Sequence, residues 1–209
     1  PDRWPQLTRP YARVPDLVLA DRFGADCFIA LIKSKYVHDL GPSLSPFNAF
    51  QILQGLETLD LRMARHSASA LEVARFLAAR PEVAQVHHPG LEASPWHPLA
   101  ARLLARGAAS VFAFDLASVG DADADARRVE ALVDGLNVIK LVANIGDARS
   151  LVCHPASMTH SHLDAEQFAQ AHISPTTVRL SIGLEDAADL LSDLTQALDA
   201  AYAGMTPTA

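Results

Sequence analysis

The 209-residue sequence predicts an α/β protein in which a long helix leads into a two-layer domain of strands and helices. Three observations predict this fold class. Apolar residues recur at helical spacing between positions 46 and 79, short strand-like runs alternate with helical segments after position 80, and a helical stripe closes the chain at 186–202. With 50% hydrophobic residues, the chain can bury a substantial core.

The beginning of the chain combines a proline-rich stretch with a helix. The first 20 residues contain four prolines and few apolar clusters, which favours an extended arm over a folded layer. Residues 25–40 have a helical pattern that ends at Gly41-Pro42. We therefore expect residues 1–45 to include an extended arm.

The segment 46–79 is predicted to be the long connecting helix. Ser45 is suited to cap its N-terminus, and Pro46 falls in the first turn, where its missing N–H costs nothing. Because the segment exceeds a typical helix length, we expect a bend near Gly55 or Asp60.

Residues 80–209 form the predicted C-terminal α/β domain. Alternating apolar positions and turn residues predict strands, and periodic stripes between acidic starts and glycine ends predict helices. The expected strands are 83–87, 110–116, 138–143, 151–154 and 178–182, and the expected helices are 98–106, 121–136 and 186–202.

Composition narrows the partners and the compartment. The net charge is −7 and lysines and arginines are not clustered, which argues against a nucleic-acid partner. No apolar run approaches the roughly 20 residues that cross a bilayer, so we expect no membrane partner. Cys27 and Cys153 fit free thiols in the reducing cytoplasm. No signal-peptide pattern opens the chain, and the missing initiator methionine suggests a piece of a longer protein.

The common catalytic motifs are absent from the sequence. It contains no phosphate-binding GxxxxGK[ST], no GxGxxG after a strand, no GxSxG and no CxxC. His154, His160 and His162 lie close together, but zinc needs three or four convergent ligands. We therefore predict no metal site and interpret these histidines as hydrogen-bonding or buried residues.

Arg179 is the strongest candidate for a binding residue. It lies in a run whose alternate members Val178, Leu180 and Ile182 suit a core, while Thr177, Arg179 and Ser181 face the other way. An arginine held on a strand can bind a carboxylate through two parallel hydrogen bonds. The run predicts a site for an amino-acid carboxylate, and a solvated strand arginine is the alternative.

Four blocks of sequence carry a resemblance to a known family. They are SPFNAFQILQGLETLDLRMARH, VHHPGLEASPWHPLAARLLARGAASVFAFDL, ANIGDARSLVCHPASMTHSHL and VRLSIGLEDAADLLSDLTQAL. In this order they resemble the C-terminal half of the pyridoxal-phosphate-dependent enzymes of cysteine and methionine metabolism. The resemblance implies an aspartate-aminotransferase-like fold of type I with a small, mostly antiparallel sheet, in which residues 1–45 include a remnant of the large cofactor-binding domain.

Within this family, the chain is most similar to the O-acetylhomoserine sulfhydrylases. The run NIGDARSLVCHPASMTHS carries this similarity, since the cystathionine enzymes commonly have a glutamate where Arg149 stands. The implied reaction replaces the acetate on Cγ of the substrate by sulfide and yields homocysteine, a step of methionine biosynthesis. The alternatives are a cystathionine γ-synthase or γ-lyase, a methionine γ-lyase, or a non-catalytic α/β module that binds partners or small acids.

The resemblance also implies roles for individual residues. Arg179 binds the α-carboxylate of the substrate, Ser150 lies at the same pocket wall, Thr159 supports that wall, and Asn144 is a second polar contact. Pyridoxal 5'-phosphate is the implied cofactor, and a homodimer or homotetramer is the implied assembly.

One expected element of the family is missing from this sequence. The Schiff-base lysine belongs to an S-x-T-K motif, and none of Lys33, Lys35 and Lys140 has that context. We therefore expect no catalytic and no cofactor-binding residue in this chain, and expect its own N-terminal half to be its partner. Alone, the chain is predicted to be inactive.

Overall fold

The computed structural model describes residues 3–108 and 110–203. The chain divides into two compact units, one up to Glu57 and one from Thr58 onward. No helix in these described stretches is long and apolar enough to cross a bilayer.

The first unit consists of short helices and one small hairpin. Its elements are α1 (Pro5–Thr8), β1 (Pro10–Tyr11), β2 (Val14–Val18), α2 (Leu19–Phe23), α3 (Cys27–Leu31), α4 (His38–Leu40) and α5 (Pro46–Glu57). Strands β1 and β2 pair in antiparallel fashion. The prediction of an extended arm is therefore wrong for this stretch. Proline is compatible with both elements, because Pro5 opens α1 and a two-stranded sheet has open edges that tolerate proline.

The helix predicted at 25–40 is confirmed in position but not in regularity. Helical structure begins earlier, at Leu19, and passes through a 3₁₀ turn at Gly24–Asp26 and a π-helical segment at Ile32–Val37. It ends at Gly41, which has a left-handed φ of 57°. A glycine adopts this conformation without steric cost, so the predicted stop signal is confirmed.

The long helical segment is interrupted once, at Thr58. Helix α5 begins after Ser45, whose Oγ accepts a hydrogen bond from the Asn48 backbone N–H at 3.1 Å. Helix α6 (Leu59–Ala78) follows Thr58 directly. The predicted cap is confirmed, and the interruption falls between the two positions proposed for the bend.

The second unit contains a five-stranded sheet and five helices among its described residues. The strands are β3 (Val83–His87), β4 (Val111–Leu116), β5 (Lys140–Leu141), β6 (Leu151–Cys153) and β7 (Thr177–Ser181). The helices are α6, α7 (His97–Leu103), α8 (Ala122–Gly135), α9 (Ala165–Gln170) and α10 (Ala187–Ala201). The strand order is β3-β4-β7-β6-β5, and only the β5–β6 pair is parallel. The expected small, mostly antiparallel sheet is confirmed.

One face of this sheet packs against helices α6, α8 and α10 to form the core. The predicted core positions Val178, Leu180 and Ile182 are at most 1% exposed and belong to this cluster. Leu190 and Leu194 bring the predicted stripe of α10 into the same cluster. Each large apolar side chain buried here contributes roughly 1.5–3 kcal/mol, which fixes β7 and therefore the direction of its opposite face.

Two elements differ from the sequence-based expectation. The strand predicted at 138–143 is reduced to Lys140–Leu141, because the Asp193 carboxylate accepts the backbone N–H groups of residues 137, 138 and 139 at 2.7–3.0 Å. Helix α9 was not predicted. Its start is a capping box in which Asp164 and Gln167 bond reciprocally to each other's backbone N–H.

Candidate functional site

Arg179 lies in the middle of β7, on the sheet face opposite the helices. This face, which we call the Arg179 face, carries Thr177, Arg179 and Ser181. The partners of Arg179 across the two neighbouring strands are Ala113 on β4 and Cys153 on β6. Directly opposed residues point to the same face, so two small side chains flank the arginine. The guanidinium therefore extends from a rigid strand between two small side chains.

The guanidinium of Arg179 has no carboxylate partner among the residues that the structure describes. Other arginines do have such partners: Arg80 pairs with Glu82 at 3.0 Å, and Arg149 pairs with Asp147 at 3.3 Å. A half-buried arginine without an internal partner retains its full set of N–H donors for an external anion. Its planar fork matches a carboxylate in particular.

A carboxylate does lie on the Arg179 face, but other groups hold it. Asp115 on β4 is opposite Thr177, whose Oγ1 donates a hydrogen bond to it at 2.5 Å. The Asp115 carboxylate also contacts His87 Nε2 at 2.6 Å and accepts a bond from Ser174 Oγ at 3.4 Å. These contacts engage the Asp115 carboxylate within the protein. His87 and Asp115 were not predicted as site residues, although the alternation along β3 and β4 places both side chains on this face.

The loop between β5 and β6, residues 142–150, lies along the Arg179 face. The Gly146 backbone N–H donates to Ser181 Oγ at 3.3 Å, and Ser181 is two residues from Arg179 on the same side of β7. Asn144 is in this loop and is exposed, with its backbone N–H bonded to the Val142 carbonyl at 2.9 Å. Asn144 therefore belongs to a segment that borders the arginine.

Ser150 ends this loop and is fully buried at 0% exposure. Its Oγ donates to Glu185 Oε2 and accepts from the Gly183 backbone N–H, both at 2.8 Å. Its backbone N–H donates to Glu185 Oε1 at 2.7 Å. The hydroxyl is thus engaged by the protein itself. Glu185 was not among the predicted site residues, because no local pattern links it to a position 35 residues away.

Thr159 is exposed and lies in the turns that follow β6. Its Oγ1 is 2.8 Å from His160 Nδ1. None of the hydrogen bonds found within 3–108 and 110–203 joins Thr159 to Arg179 or to the 142–150 loop. Nearby, His154 contacts Ser157 Oγ and the Pro175 carbonyl, both at 2.9 Å. The structure brings Ser150 and the Asn144 loop to β7, and it does not bring Thr159 there by any such bond.

Cys153 lies beside Arg179 and is 1% exposed. Burial raises the pKa of its thiol above the ordinary value, and the positive charge of Arg179 offsets this only in part. A higher pKa leaves less thiolate, the form that reacts with alkylating agents.

We expect iodoacetamide at pH 8 to alkylate the partly exposed Cys27 well before Cys153. Because the Cys153 thiol is both buried and held protonated, its labelling should lag by at least about tenfold in the native protein. Mass spectrometry of peptides at timed intervals measures the two rates. In denaturant the rates should converge, and equal rates in the native protein would contradict the buried placement of Cys153.

Comparison with known proteins assigns the family. Residues 24–199 match the model of the Cys/Met metabolism PLP-dependent enzymes. The chain belongs to this family.

Curated relatives of the chain include O-acetyl-L-homoserine sulfhydrylases. That of Leptospira meyeri is 43% identical over 172 residues, which cover 82% of this chain and 38% of the relative. O-acetyl-L-homoserine sulfhydrylase 1 of Thermus thermophilus is 40% identical over 196 residues, with coverage of 94% and 45%. The chain thus spans less than half the length of these relatives.

Solved structures show the same relationship. One is a putative O-acetylhomoserine (thiol)-lyase from Campylobacter jejuni, crystallised with a pyridoxyl-lysine phosphate. It has a TM-score of 0.74 and is 36% identical, and the match covers 95% of this chain and 45% of the lyase chain. Cystathionine γ-synthase from Xanthomonas oryzae in complex with cystathionine has a TM-score of 0.70 and 40% identity, with coverage of 87% and 44%. The predicted fold class, part of a type I pyridoxal-phosphate enzyme, is confirmed.

The lysines of this chain do not fit covalent attachment of the cofactor of this family. A lysine that forms a Schiff base is activated by burial in an apolar pocket or by a neighbouring cation. Lys33, Lys35 and Lys140 are all exposed, and the Lys140 Nζ donates to the Asn137 carbonyl. Arg179, by contrast, has the residue type and the strand position to bind a carboxylate.

Proposed function

We propose that this chain is the C-terminal half of a pyridoxal-phosphate-dependent O-acetylhomoserine sulfhydrylase, in which Arg179 binds the α-carboxylate of the amino-acid substrate. The enzyme would replace the acetate on Cγ by sulfide and form homocysteine. The observation that carries the proposal is the guanidinium of Arg179, which lies on a rigid strand and has no carboxylate partner among the described residues. The named sulfhydrylases at 40–43% identity support the substrate class.

Two features make Arg179 suited to this role. Its backbone is fixed, because Val178 and Leu180 on either side are locked in the core. A guanidinium fixed in this way loses little further freedom when a carboxylate binds, and two parallel hydrogen bonds set the orientation of the substrate. The carboxylate would therefore determine where Cα and Cγ lie.

The other candidate residues take supporting places in this proposal. Asn144 would be a second polar contact from the 142–150 loop, and Ser150 would form the wall behind it. Thr159 would support the same wall from the turns after β6. The proposal gives no residue of this chain a bond-breaking role.

The chemical step belongs, in this proposal, to the rest of the protein. The Schiff-base lysine would lie in the N-terminal half, so this chain alone would be inactive. We call the two halves together the intact protein, and we propose that it forms a homodimer or homotetramer. A cytoplasmic location is part of the proposal, since two unpaired cysteines suit a reducing compartment.

A competition between nucleophiles tests the proposal. We supply the intact protein with O-acetyl-L-homoserine and pyridoxal phosphate and offer sulfide or cysteine as the nucleophile. We expect kcat/KM for homocysteine formation from sulfide to exceed that for cystathionine formation from cysteine by at least about tenfold. This ratio corresponds to a difference of about 1.4 kcal/mol in transition-state free energy. Chromatography of the amino-acid products measures both rates.

The cystathionine γ-synthase neighbour makes the opposite result meaningful. Faster formation of cystathionine would reassign the protein to that activity, and no product with either nucleophile would contradict both. The isolated 209-residue chain is the control, and it should show neither turnover nor a visible cofactor band. A visible band that disappears on changing Lys33, Lys35 or Lys140 would contradict the assignment of the lysine to the other half.

A further inference from the structure

The carboxylate of Glu185 joins two segments that are distant in sequence. Both of its oxygens accept hydrogen bonds from Ser150, one from the backbone N–H at 2.7 Å and one from Oγ at 2.8 Å. Glu185 follows the end of β7, and Ser150 precedes the start of β6. The side chain therefore joins the two segments just beyond the end of the β6–β7 pair.

Backbone contacts tighten the same junction. The Leu184 N–H donates to the Ala148 carbonyl at 2.8 Å, and the Gly183 N–H donates to Ser150 Oγ at 2.8 Å. Together with the two bonds of Glu185, these contacts hold residues 148–150 against residues 183–185. We call this set of bonds the Glu185 clamp.

Helix α6 fixes the clamp from a second side. Arg65 Nη2 donates to the Glu185 carbonyl at 3.2 Å, and His66 Nδ1 is 2.6 Å from the Ile182 carbonyl. His66 is 2% exposed, so the hydrogen bond to Ile182 is protected from water. The segment 182–185 therefore has a defined position, and Glu185 passes this position on to Ser150 through its two hydrogen bonds.

The clamp controls a segment that borders Arg179. Ser150 leads directly into β6, where Cys153 is the cross-strand partner of Arg179. On its other side, the loop reaches Gly146, which bonds to Ser181 on the Arg179 face. The loop is thus held at its middle by Ser181 and at its C-terminal end by the clamp, and Asn144 lies between β5 and these anchors.

We propose that Glu185 is a positioning residue for substrate binding, which holds the 142–150 loop in register beside Arg179. This inference rests on the proposed function of Arg179 as the carboxylate-binding residue. Glu185 does not touch substrate in it. The Glu185 carboxylate holds Ser150 and the loop backbone beside Arg179, where they form the second wall of the site for the substrate carboxylate. A change at Glu185 therefore weakens substrate binding and leaves the bond-breaking step intact.

Glu185→Gln in the intact protein tests this role. The amide keeps the size of the side chain but removes its charge and replaces one acceptor by a donor, so the hydroxyl proton of Ser150 loses its acceptor and both contacts with Ser150 are weakened. We expect KM for O-acetyl-L-homoserine to rise about tenfold while kcat stays within about threefold. A residue that served stability alone would lower the melting temperature and leave KM unchanged.

The chain offers a matched control in Asp125. This buried carboxylate also accepts one backbone N–H, from Val119 at 3.0 Å, and one serine hydroxyl, from Ser118 at 2.5 Å, but it lies in the first turn of α8, where it also pairs with Arg128 at 3.5 Å. Asp125→Asn should lower the melting temperature without a change in KM. A similar rise in KM for both variants, or no rise for Glu185→Gln, overturns the positioning role.

Two further variants keep the result decisive. If Glu185→Gln does not fold, Ser150→Ala retains the backbone bond and should raise KM about threefold; an unchanged KM overturns the inference. Arg179→Lys is measured in parallel. If Arg179→Lys raises KM and the clamp variants do not, only the positioning role of Glu185 is contradicted. An unchanged KM for Arg179→Lys contradicts the proposed carboxylate site, and the inference about Glu185 fails with it.

Discussion

Replacing Arg179 by alanine in the intact protein is expected to lower kcat/KM for the amino-acid substrate by about 10²–10³-fold, chiefly through KM. Loss of one partner of a desolvated, hydrogen-bonded charge pair costs about 2–5 kcal/mol, and each 1.4 kcal/mol is tenfold. Arg179→Lys keeps the charge but loses the two-pronged geometry, so we expect about 10–50-fold. Initial rates over a range of O-acetyl-L-homoserine concentrations separate KM from kcat.

Two comparisons make the Arg179 result specific. Arg149 is an exposed arginine of the adjacent loop, with its guanidinium on Asp147, and Arg149→Ala should change kcat/KM less than about threefold. Added guanidinium ion should restore part of the activity of Arg179→Ala, because it can occupy the space left beside Ala113 and Cys153. Equal losses for the two arginines, with no rescue, would contradict a carboxylate site at Arg179.

Local pattern was sufficient to predict β7 and its two faces. The alternation of Val178, Leu180 and Ile182 with polar residues fixed which side chains enter the core, and all three are buried. The expectation for the other face was less complete, since Thr177 and Ser181 are also buried, at 4% and 2%. Both side chains are hydrogen-bonded to a neighbouring strand or loop, and a period of two does not encode such contacts.

The elements that were mispredicted depend on contacts between distant residues. Asp193 on α10 takes the backbone N–H groups of residues 137–139 and so shortens β5, across a separation of more than 50 positions. The capping box at Asp164 was readable from the sequence, because aspartate followed three positions later by glutamine is a helix start. Its helix was missed because α9 has only six residues and a weak apolar stripe.

The candidate site shows the same division. Arg179 was identifiable alone, because its residue type and its strand position carry the chemistry. Glu185 and the His87–Asp115 pair were not identifiable from the sequence, because the role of each depends on a hydrogen-bond partner 28 to 35 positions away. Sequence identifies the residue that can bind a ligand, and the residues that hold it in place emerge only when the sheet is assembled.

Gly183→Ala is expected to have the largest effect on stability at this site. A Cβ at position 183 would lie 2.5 Å from both the Ala148 carbonyl oxygen and the Arg149 carbonyl carbon, and closer still to the Glu185 carboxylate. The carboxylate could move aside, but the two backbone atoms could not do so without opening the Glu185 clamp. Forced displacement of packed backbone costs about 3 kcal/mol, at the upper end of overpacking effects.

Chemical denaturation followed by circular dichroism measures the change in the free energy of unfolding of Gly183→Ala. Gly135→Ala is the control from the same unit, because a Cβ there meets only Ala197 at 3.4 Å, an ordinary contact, and the change should stay within about 1 kcal/mol. Since the displaced residues 148–150 lead into the partner strand of Arg179, KM for O-acetyl-L-homoserine should rise in Gly183→Ala and not in Gly135→Ala. Equal unfolding midpoints for the two variants would show that the 142–150 loop can move away from β7 at little cost. Close packing at Gly183 would then not explain how that loop is held beside Arg179.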